Sequence, residues 1–577
     1  MFRKYLPLYV AALLAAAAGT ILSSLPPLLL RSILDSGLGG AAWTLPGPLS
    51  WVNSIAWAIA CMFAFSFGAA GLNFLSGYGT QRVAEDAAKD LRNQLYGHLQ
   101  LLTWDELQKA PTGDWVQRCT SDVDTLRRLA GLQFPELVNS SLQALWILPM
   151  LFALEPRLAW FTVPLLPVVL IFSYAFFHQV EKAFKESDES EGRLSGILQE
   201  NITGVRVVKA FARQDFERQR FGAENDHYRQ VTRKLINLFA YYWGLVNVLS
   251  LLQLGIVLTA GIVFVNAGLV TTGTVVMFMT LTGMLVWPIR QLGRVLTDLG
   301  KAKVSWTRVK EILAKPTEEL GEREVFPGTE WKGRLEFRNV SVHKEGRTIL
   351  EGLNFVIEAG QTAALLGPTG SGKSTLVQLL AGLSPYEGEI LLDGRELATL
   401  SKRELRSQVG LVLQEPWLFA KTIGDNIGLA HETPHADEIV HAATLARFHE
   451  GITGFPEGYK TLLGERGVTL SGGQRQRTAI AQMLVRPKPV LIFDDSLSAV
   501  DNHTDAQIRA SLASRKSSGT IILISHRLST LAQADVILVL EHGRLVQQGT
   551  HAELAAQPGL YRRMAELQNA LQKEWLL

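Results

Sequence analysis

The chain has 577 residues, 47% of them hydrophobic and only 19% charged, with 56 basic side chains against 54 acidic ones and a formal net charge of +2. That length is too great for one domain and suits two or three. Near-balanced charge points to no nucleic-acid partner, and two cysteines, Cys61 and Cys119, imply no disulfide framework.

In chain order, the N-terminal half is a series of long uncharged runs. A membrane-spanning helix needs about 20 apolar residues. Tyr5–Leu30 meets that length, and Ala41–Gln81 contains a second run around Ala56–Tyr78. Leu137–Leu154 and Leu158–Gln179 flank "EPR", read as a tight turn between two spans. Leu235–Ile289 has no charged residue before its end; it is too long for one span and fits two joined near "NAGLVTTGT". The expectation is six spans. Arg3 and Lys4, "QRVAEDAAKDLRNQ", "EKAFKESDESEGR" and Arg290 fall on alternate flanks, which places both termini in the cytosol. A secretory signal peptide over the first residues is the rival reading, and the later spans weigh against it.

Between spans two and three, and again between four and five, long polar stretches keep helical spacing. They predict helices extended into the cytosol as antiparallel pairs, with tips near "APTGDW" (Ala110–Trp115) and "QENITGVRVV" (Gln199–Val208). Pro26, Pro27, Pro164 and Pro167 predict kinks. The expected spans hold no Asp, Glu, Lys or Arg, so they offer no ion or proton path. Trp57, Trp146, Trp243, Asn247, Gln253, Met277 and Met279 are candidates to touch an apolar ligand, set against ordinary roles in interfacial belts and helix packing.

A Pro-, Gly- and acid-rich linker, "KPTEELGEREVFPGTEWKG", leads to a mixed α/β half. There "AALLGPTGSGKSTLVQLLAG" sets an apolar strand before Gly367 and an amphipathic helix after Lys373, the context of a phosphate-binding loop. Gly367, Gly370 and Gly372, with Ser371 between them, let backbone N–H groups converge on phosphates at a helix N-terminus. Lys373 supplies a point charge; Ser374 can ligate Mg²⁺, and Thr375 follows in the same turn. Asp494, closing the apolar strand "PVLIFD", suits the second metal contact. ATP and Mg²⁺ are the expected cofactors.

"LSGGQRQR" (Leu470–Arg477) resembles the signature of ATP-binding cassette (ABC) proteins. Around it, Gln414 in "LVLQEP" looks like the Q-loop and a metal contact, "GERG" (Gly464–Gly467) the X-loop of exporters, "SAVD" (Ser498–Asp501) the D-loop and His526 in "ISHRLS" the switch histidine. "TGDWVQRCTSDVD", "LQENITGVRVVKAF" and "GRLVQQGTHAEL" resemble further exporter segments, so the likeness covers essentially the whole chain. It implies an all-α six-helix transmembrane domain with long cytosolic helical extensions over residues 1–314, a linker over 315–333, and an α/β P-loop nucleotide-binding domain over 334–577. Such a chain is a half-transporter in the cell's inner (plasma) membrane, among its lipids, and must dimerise. In the family, each ATP lies between one chain's phosphate loop and the other's signature, here Ser471, Gly472, Gly473 and Gln474.

The departures are specific. Where the family usually has Glu as the base that orients the attacking water, this chain has Asp495. Where exporters commonly place a Tyr that stacks on adenine, "VSVHK" puts Lys344, with His343 beside it. An intact signature beside a shortened base resembles the degenerate-site subunit of a heterodimeric bacterial multidrug exporter. That subunit would carry hydrophobic compounds outward with a partner half-transporter bearing the catalytic Glu. The alternative is a homodimer with slow Asp-based sites; a third, non-transporting possibility is a regulatory subunit that gates a membrane complex.

Overall fold

The computed structural model describes residues 2–39, 54–321, 331–344, 346–431, 433–497, 500–513 and 519–574. The chain divides into two compact units, Met1–Gln100 with Pro111–Lys315, and Leu101–Ala110 with Pro316–Leu577.

The first unit is helical. Among the described residues, Leu6–Ser36, Ile55–Gln100, Thr112–Leu154 and Gln214–Asn266 are long and apolar enough to cross a membrane, and Thr272–Val286 is a shorter apolar helix. The 53-residue helix Gln214–Asn266 is about 80 Å long at 1.5 Å per residue, more than twice the bilayer's hydrocarbon thickness. It packs on Leu165–Thr203 through Phe176, Phe177, Val180, Tyr242 and Val246. The two are linked at Gly204–Arg213 through the short helix Val205–Ala210, overlapping the expected tip.

Pro26 and Pro27 fall at a helix break, while Pro149 and Pro288 lie inside continuous helices. Helix Leu6–Ser23 stops at Ser24, and Leu25–Gly39 resumes with Pro26 and Pro27 in its first turn. The chain turns between Ala159 and Leu165, and the fourth apolar run becomes a regular helix only from Leu165, with Pro164 as its N-cap and Pro167 in its first turn. Gln253 repairs this break. Its amide donates to the Phe161 carbonyl (2.7 Å) and accepts from the Leu165 N–H (3.2 Å), as apolar surroundings demand of an interrupted backbone. Gln253 is therefore occupied rather than offered to a ligand. Met277 is likewise fully buried, and the Trp146 indole donates to Ser24 Oγ (2.9 Å). Trp57 and Trp243 stay exposed.

The second unit holds ten strands among the described residues. They are β1 (Leu335–Lys344), β2 (Arg347–Ile357), β3 (Thr362–Leu366), β4 (Glu387–Leu392), β5 (Arg395–Glu396), β6 (Val409–Val412), β7 (Val490–Asp494), β8 (Thr520–Ile524), β9 (Val536–Glu541) and β10 (Arg544–Gly549). An antiparallel sheet runs β2-β1-β4-β5, and a six-stranded sheet runs β10-β9-β3-β8-β7-β6. In the latter β9, β3, β8, β7 and β6 are mutually parallel and read as apolar runs buried on both faces.

Leu101–Ala110, expected within the first domain, belongs to this unit. Leu102 bridges Thr317, and the Leu101 carbonyl accepts from the Glu318 N–H (2.6 Å). The first residues of the expected linker are therefore anchored rather than loose: Glu318 also pairs with Arg406 (2.8 Å). Linker residues 322–330 lie outside the described residues.

Candidate functional site

Three chain segments meet at one edge of the larger sheet because its strands are parallel and in register. Leu365 of β3 is level with Ile524 of β8, which is level with Asp494 of β7. The loop after β3, the Asp494–Asp495 pair and the His526 segment after β8 therefore leave the sheet side by side, at the carboxyl ends where open α/β sheets bind ligands. On the far side of β7, Val412 of β6 is level with Phe493, so exposed Gln414 emerges at the same edge.

The Gly367–Gly372 loop is built by backbone conformation. Gly370 (φ +82°) and Gly372 (φ +98°) lie in the left-handed region. A Cβ on Gly372 would sit 2.4 Å from Leu350 Cδ2, and one on Gly367 would sit 2.2 Å from the Leu540 carbonyl oxygen. Only glycine fits at either position. The loop opens helix Lys373–Leu380, whose first N–H groups face the loop. Lys373 folds into it, donating to the carbonyls of Gly367 (2.7 Å) and Pro368 (2.9 Å), with buried Ser371 Oγ 3.5 Å away. Burial lowers its ammonium pKa, opposed by the charges of Asp494 and Asp495.

Exposed Ser374 lies close enough to buried Asp494 to act on its carboxylate. Burial raises the Asp494 pKa and the neighbouring Asp495 adds to this, while Ser374 and Lys373 pull the other way. The next residue, Asp495, is held at φ +45° and donates its N–H to the Ile524 carbonyl (3.1 Å). Asp tolerates this left-handed conformation better than most side chains. Burial raises its pKa as well, against the charges of His526, Arg527 and Lys373. A hydroxyl and a carboxylate beside a lysine and a helix N-terminus would hold Mg²⁺ together with a nucleotide's phosphate oxygens. The described residues contain no group of three or more His, Cys, Asp or Glu side chains that would hold a metal without them.

Ser471–Gln474 is a separate surface. Ser471 caps helix Gly472–Leu484 reciprocally with Gln474: Ser471 Oγ accepts from the Gln474 N–H (3.3 Å), and Gln474 Oε1 from the Ser471 N–H (2.9 Å). Ser471 and Gly472 are exposed. Among the described residues, no hydrogen bond joins this cap to Gly367–Thr375, so one chain does not complete a site from both. In the Gly464–Gly467 segment, Arg466 places its guanidinium over the exposed Trp417 ring (4.8 Å). Ser498 and Ala499 lie outside the described residues; Val500 and Asp501 follow them, and Arg527 Nη1 donates to the Val500 carbonyl (3.1 Å).

At the position that resembles an adenine platform, Lys344 Nζ donates to Asp105 Oδ1 (3.0 Å) and Ser384 Oγ (3.1 Å). His343 Nδ1 is paired with Thr348 Oγ1 (3.1 Å). Asp105 was missed in the sequence, as was Gln568, whose side chain reaches the His526 segment. Neither belongs to a local motif, and each meets its partner only through the fold.

The family model described as the ABC transporter transmembrane region matches residues 9–289, and the one described as ABC transporter matches 350–498. The chain is 32% identical to the Bacillus subtilis uncharacterized ABC transporter ATP-binding protein YknU, over 98% of this chain and 95% of that one. It is 31% identical to the putative multidrug export ATP-binding/permease protein YgaD of the same organism, over 96% of each. A bacterial Atm1-family ABC exporter solved with ATP bound superposes with a TM-score of 0.79 at 26% identity, over 98% of this chain and 99% of the other.

Proposed function

The chain belongs to the ABC transporter family, and from that premise we propose that it is one subunit of a heterodimeric exporter of hydrophobic, drug-like or lipid-like compounds. It is a membrane protein with a helical transmembrane domain and an ABC ATPase domain, and its cycle is ATP-driven. The proposal further assigns six spans, a plasma-membrane location and cytosolic termini. The name of YgaD, a putative multidrug exporter, and the uncharged character of the apolar runs support hydrophobic cargo.

In this reading Gly367–Thr375 hold the phosphates, Ser374, Asp494 and Gln414 face the metal, and Asp495 and His526 face the γ-phosphate. Bound magnesium ATP supplies the phosphoanhydride whose cleavage resets the transporter. Ser471–Gln474, with Ser471 and Gly472 exposed, serve the partner's site, where N–H and hydroxyl donors stabilise transition-state charge.

Asp495 carries the heterodimer assignment. Its backbone is fixed by the Ile524 bond, so the missing methylene withdraws the carboxylate by about 1.5 Å. A misplacement of about 1 Å costs on the order of 100-fold in rate. The partner is then the subunit with the full-length base.

The test is ATP turnover of the purified chain, alone and with a Glu-bearing half-transporter, each also carrying Asp495→Glu. A nearly inert lone chain, an active pair and a gain from Asp495→Glu support the proposal. A lone chain that dimerises, turns over well and loses activity with Asp495→Asn supports homodimeric export instead.

A further inference from the structure

We propose that Gln568, on the C-terminal helix Leu560–Glu574, is a positioning residue for His526 and through it sets the site's preference for a triphosphate over a diphosphate. This rests on the reading above that His526 faces the γ-phosphate.

One side-chain amide holds two successive peptide groups. Gln568 Nε2 donates to the His526 carbonyl (2.6 Å), and Gln568 Oε1 accepts from the Leu528 N–H (2.8 Å). These peptide groups flank Arg527, so both its φ and its ψ are held from outside. The Leu528 N–H is the first of the short helix Leu528–Leu531, whose N-cap residue, Arg527, makes no side-chain cap. An N–H at that place needs an external acceptor, and Gln568 provides it from 40 residues away.

The segment has further ties: the Arg527 carbonyl accepts from the Thr530 and Leu531 N–H groups (both 3.1 Å). The Arg527 N–H donates to Ser525 Oγ (3.1 Å), and Arg527 Nη1 reaches the Val500 carbonyl (3.1 Å). None of them fixes the His526 carbonyl; Gln568 does. With the backbone held on the C-terminal side of His526, the directions open to its exposed imidazole narrow.

The helix that carries Gln568 is itself anchored. Tyr561 is 1% exposed and packs with Ala364 and Leu366 of β3 and Leu531 of the short helix. Its hydroxyl pairs with His551 Nδ1 (2.6 Å), and its N–H donates to Gln547 Oε1 (3.2 Å). The same apolar cluster therefore underlies the strand entering the phosphate loop and the base of the helix that clamps the His526 loop.

The experiment compares the full chain with its Gln568→Ala, Gln568→Glu and His526→Ala variants. It measures Mg²⁺-dependent affinity for adenylyl imidodiphosphate and for ADP, and hydrogen exchange at the Leu528 amide. Gln568→Ala is expected to speed Leu528 exchange and lower the triphosphate-over-diphosphate preference roughly fivefold, the size of one hydrogen bond, with ADP affinity unchanged. Gln568→Glu keeps the acceptor for Leu528 but turns an oxygen toward the His526 carbonyl; it should lose preference while Leu528 stays protected. If His526→Ala lowers the preference and both Gln568 variants leave it intact, the inference is wrong. Equal loss of ADP and triphosphate affinity in Gln568→Ala also overturns it, because that is a merely structural effect. If His526→Ala leaves the preference untouched, the assignment of His526 falls, and this inference with it.

Discussion

The ammonium of Lys344 lies 3.0 Å from Asp105 Oδ1, joining the end of β1 to the short helix Trp104–Gln108. The two residues are 239 positions apart. In place of an aromatic face, this position presents an aliphatic stem whose charge is already engaged. Lys344→Tyr is expected to tighten ATP binding roughly fivefold or more, the low end for stacking a base on a ring, as read by equilibrium titration. Asp105→Asn should change unfolding stability by less than about 1 kcal/mol, because the pair is partly exposed. Weaker ATP binding in Lys344→Tyr would show that the amine itself serves the nucleotide.

Asp35 and Gly273 are as closely joined within the first unit. Asp35 Oδ1 accepts from the Gly273 N–H (2.8 Å) and Oδ2 from Thr271 Oγ1 (2.7 Å), at the start of helix Thr272–Leu313. Asp35→Ala removes a charged acceptor from a helix N-terminus and should cost about 1–3 kcal/mol, visible as a lower Tm in detergent. Gly273→Ala should cost at least as much, since its Cβ would sit 2.3 Å from the Arg31 carbonyl oxygen. An unchanged Tm in both variants would mean that these helix ends are not held here.

Gly372→Ala should weaken nucleotide binding without unfolding the chain. The loop holds this residue at φ +98°, which a side chain disfavours, and the added Cβ would collide with Leu350. The expected loss of ATP affinity is more than about 10-fold. Gly370 is also left-handed, but a Cβ there would meet nothing within 4 Å, so Gly370→Ala should lose less.

Lys488 gives a pH signature. Its Nζ donates to the carbonyls of Arg406 (3.0 Å) and Val409 (2.8 Å), and burial, helped by Arg486, lowers its pKa to about 8. An unfolded lysine titrates near 10.4. Between those values the unfolded chain holds the proton and the folded chain has released it, so stability should rise as pH increases through that window. Lys488→Met should flatten the rise, which is on the order of 1–3 kcal/mol. A wild-type melting temperature that falls from pH 8 to pH 10, with Lys488→Met falling in parallel, would contradict this.

Much of the nucleotide site was legible because its chemistry is local. A phosphate loop needs glycines at fixed offsets before a helix, and Gly367, Gly370, Gly372 and Lys373 show that spacing in the sequence itself. Asp494 was legible as the polar end of an apolar strand, and Pro26, Pro27 and Pro164 marked where Leu6–Ser23 ends and the helix from Leu165 begins. The role of Gln253 was not, because a polar residue in an apolar run reads alike whether it awaits a ligand or repairs a backbone; only the placement of Phe161 and Leu165 beside it decides.

By itself the sequence determined which segments are apolar, which loop has the glycine spacing of a phosphate cradle and that a second aspartate follows Asp494, since composition, period and motif spacing are properties of neighbours along the chain. Tertiary structure alone decided that Leu101–Ala110 packs with the second unit, that Lys344 is held by Asp105, and that Gln568 clamps the His526 segment. Such contacts join residues tens to hundreds of positions apart, and their geometry is set by how sheets and helices stack, which no local pattern encodes.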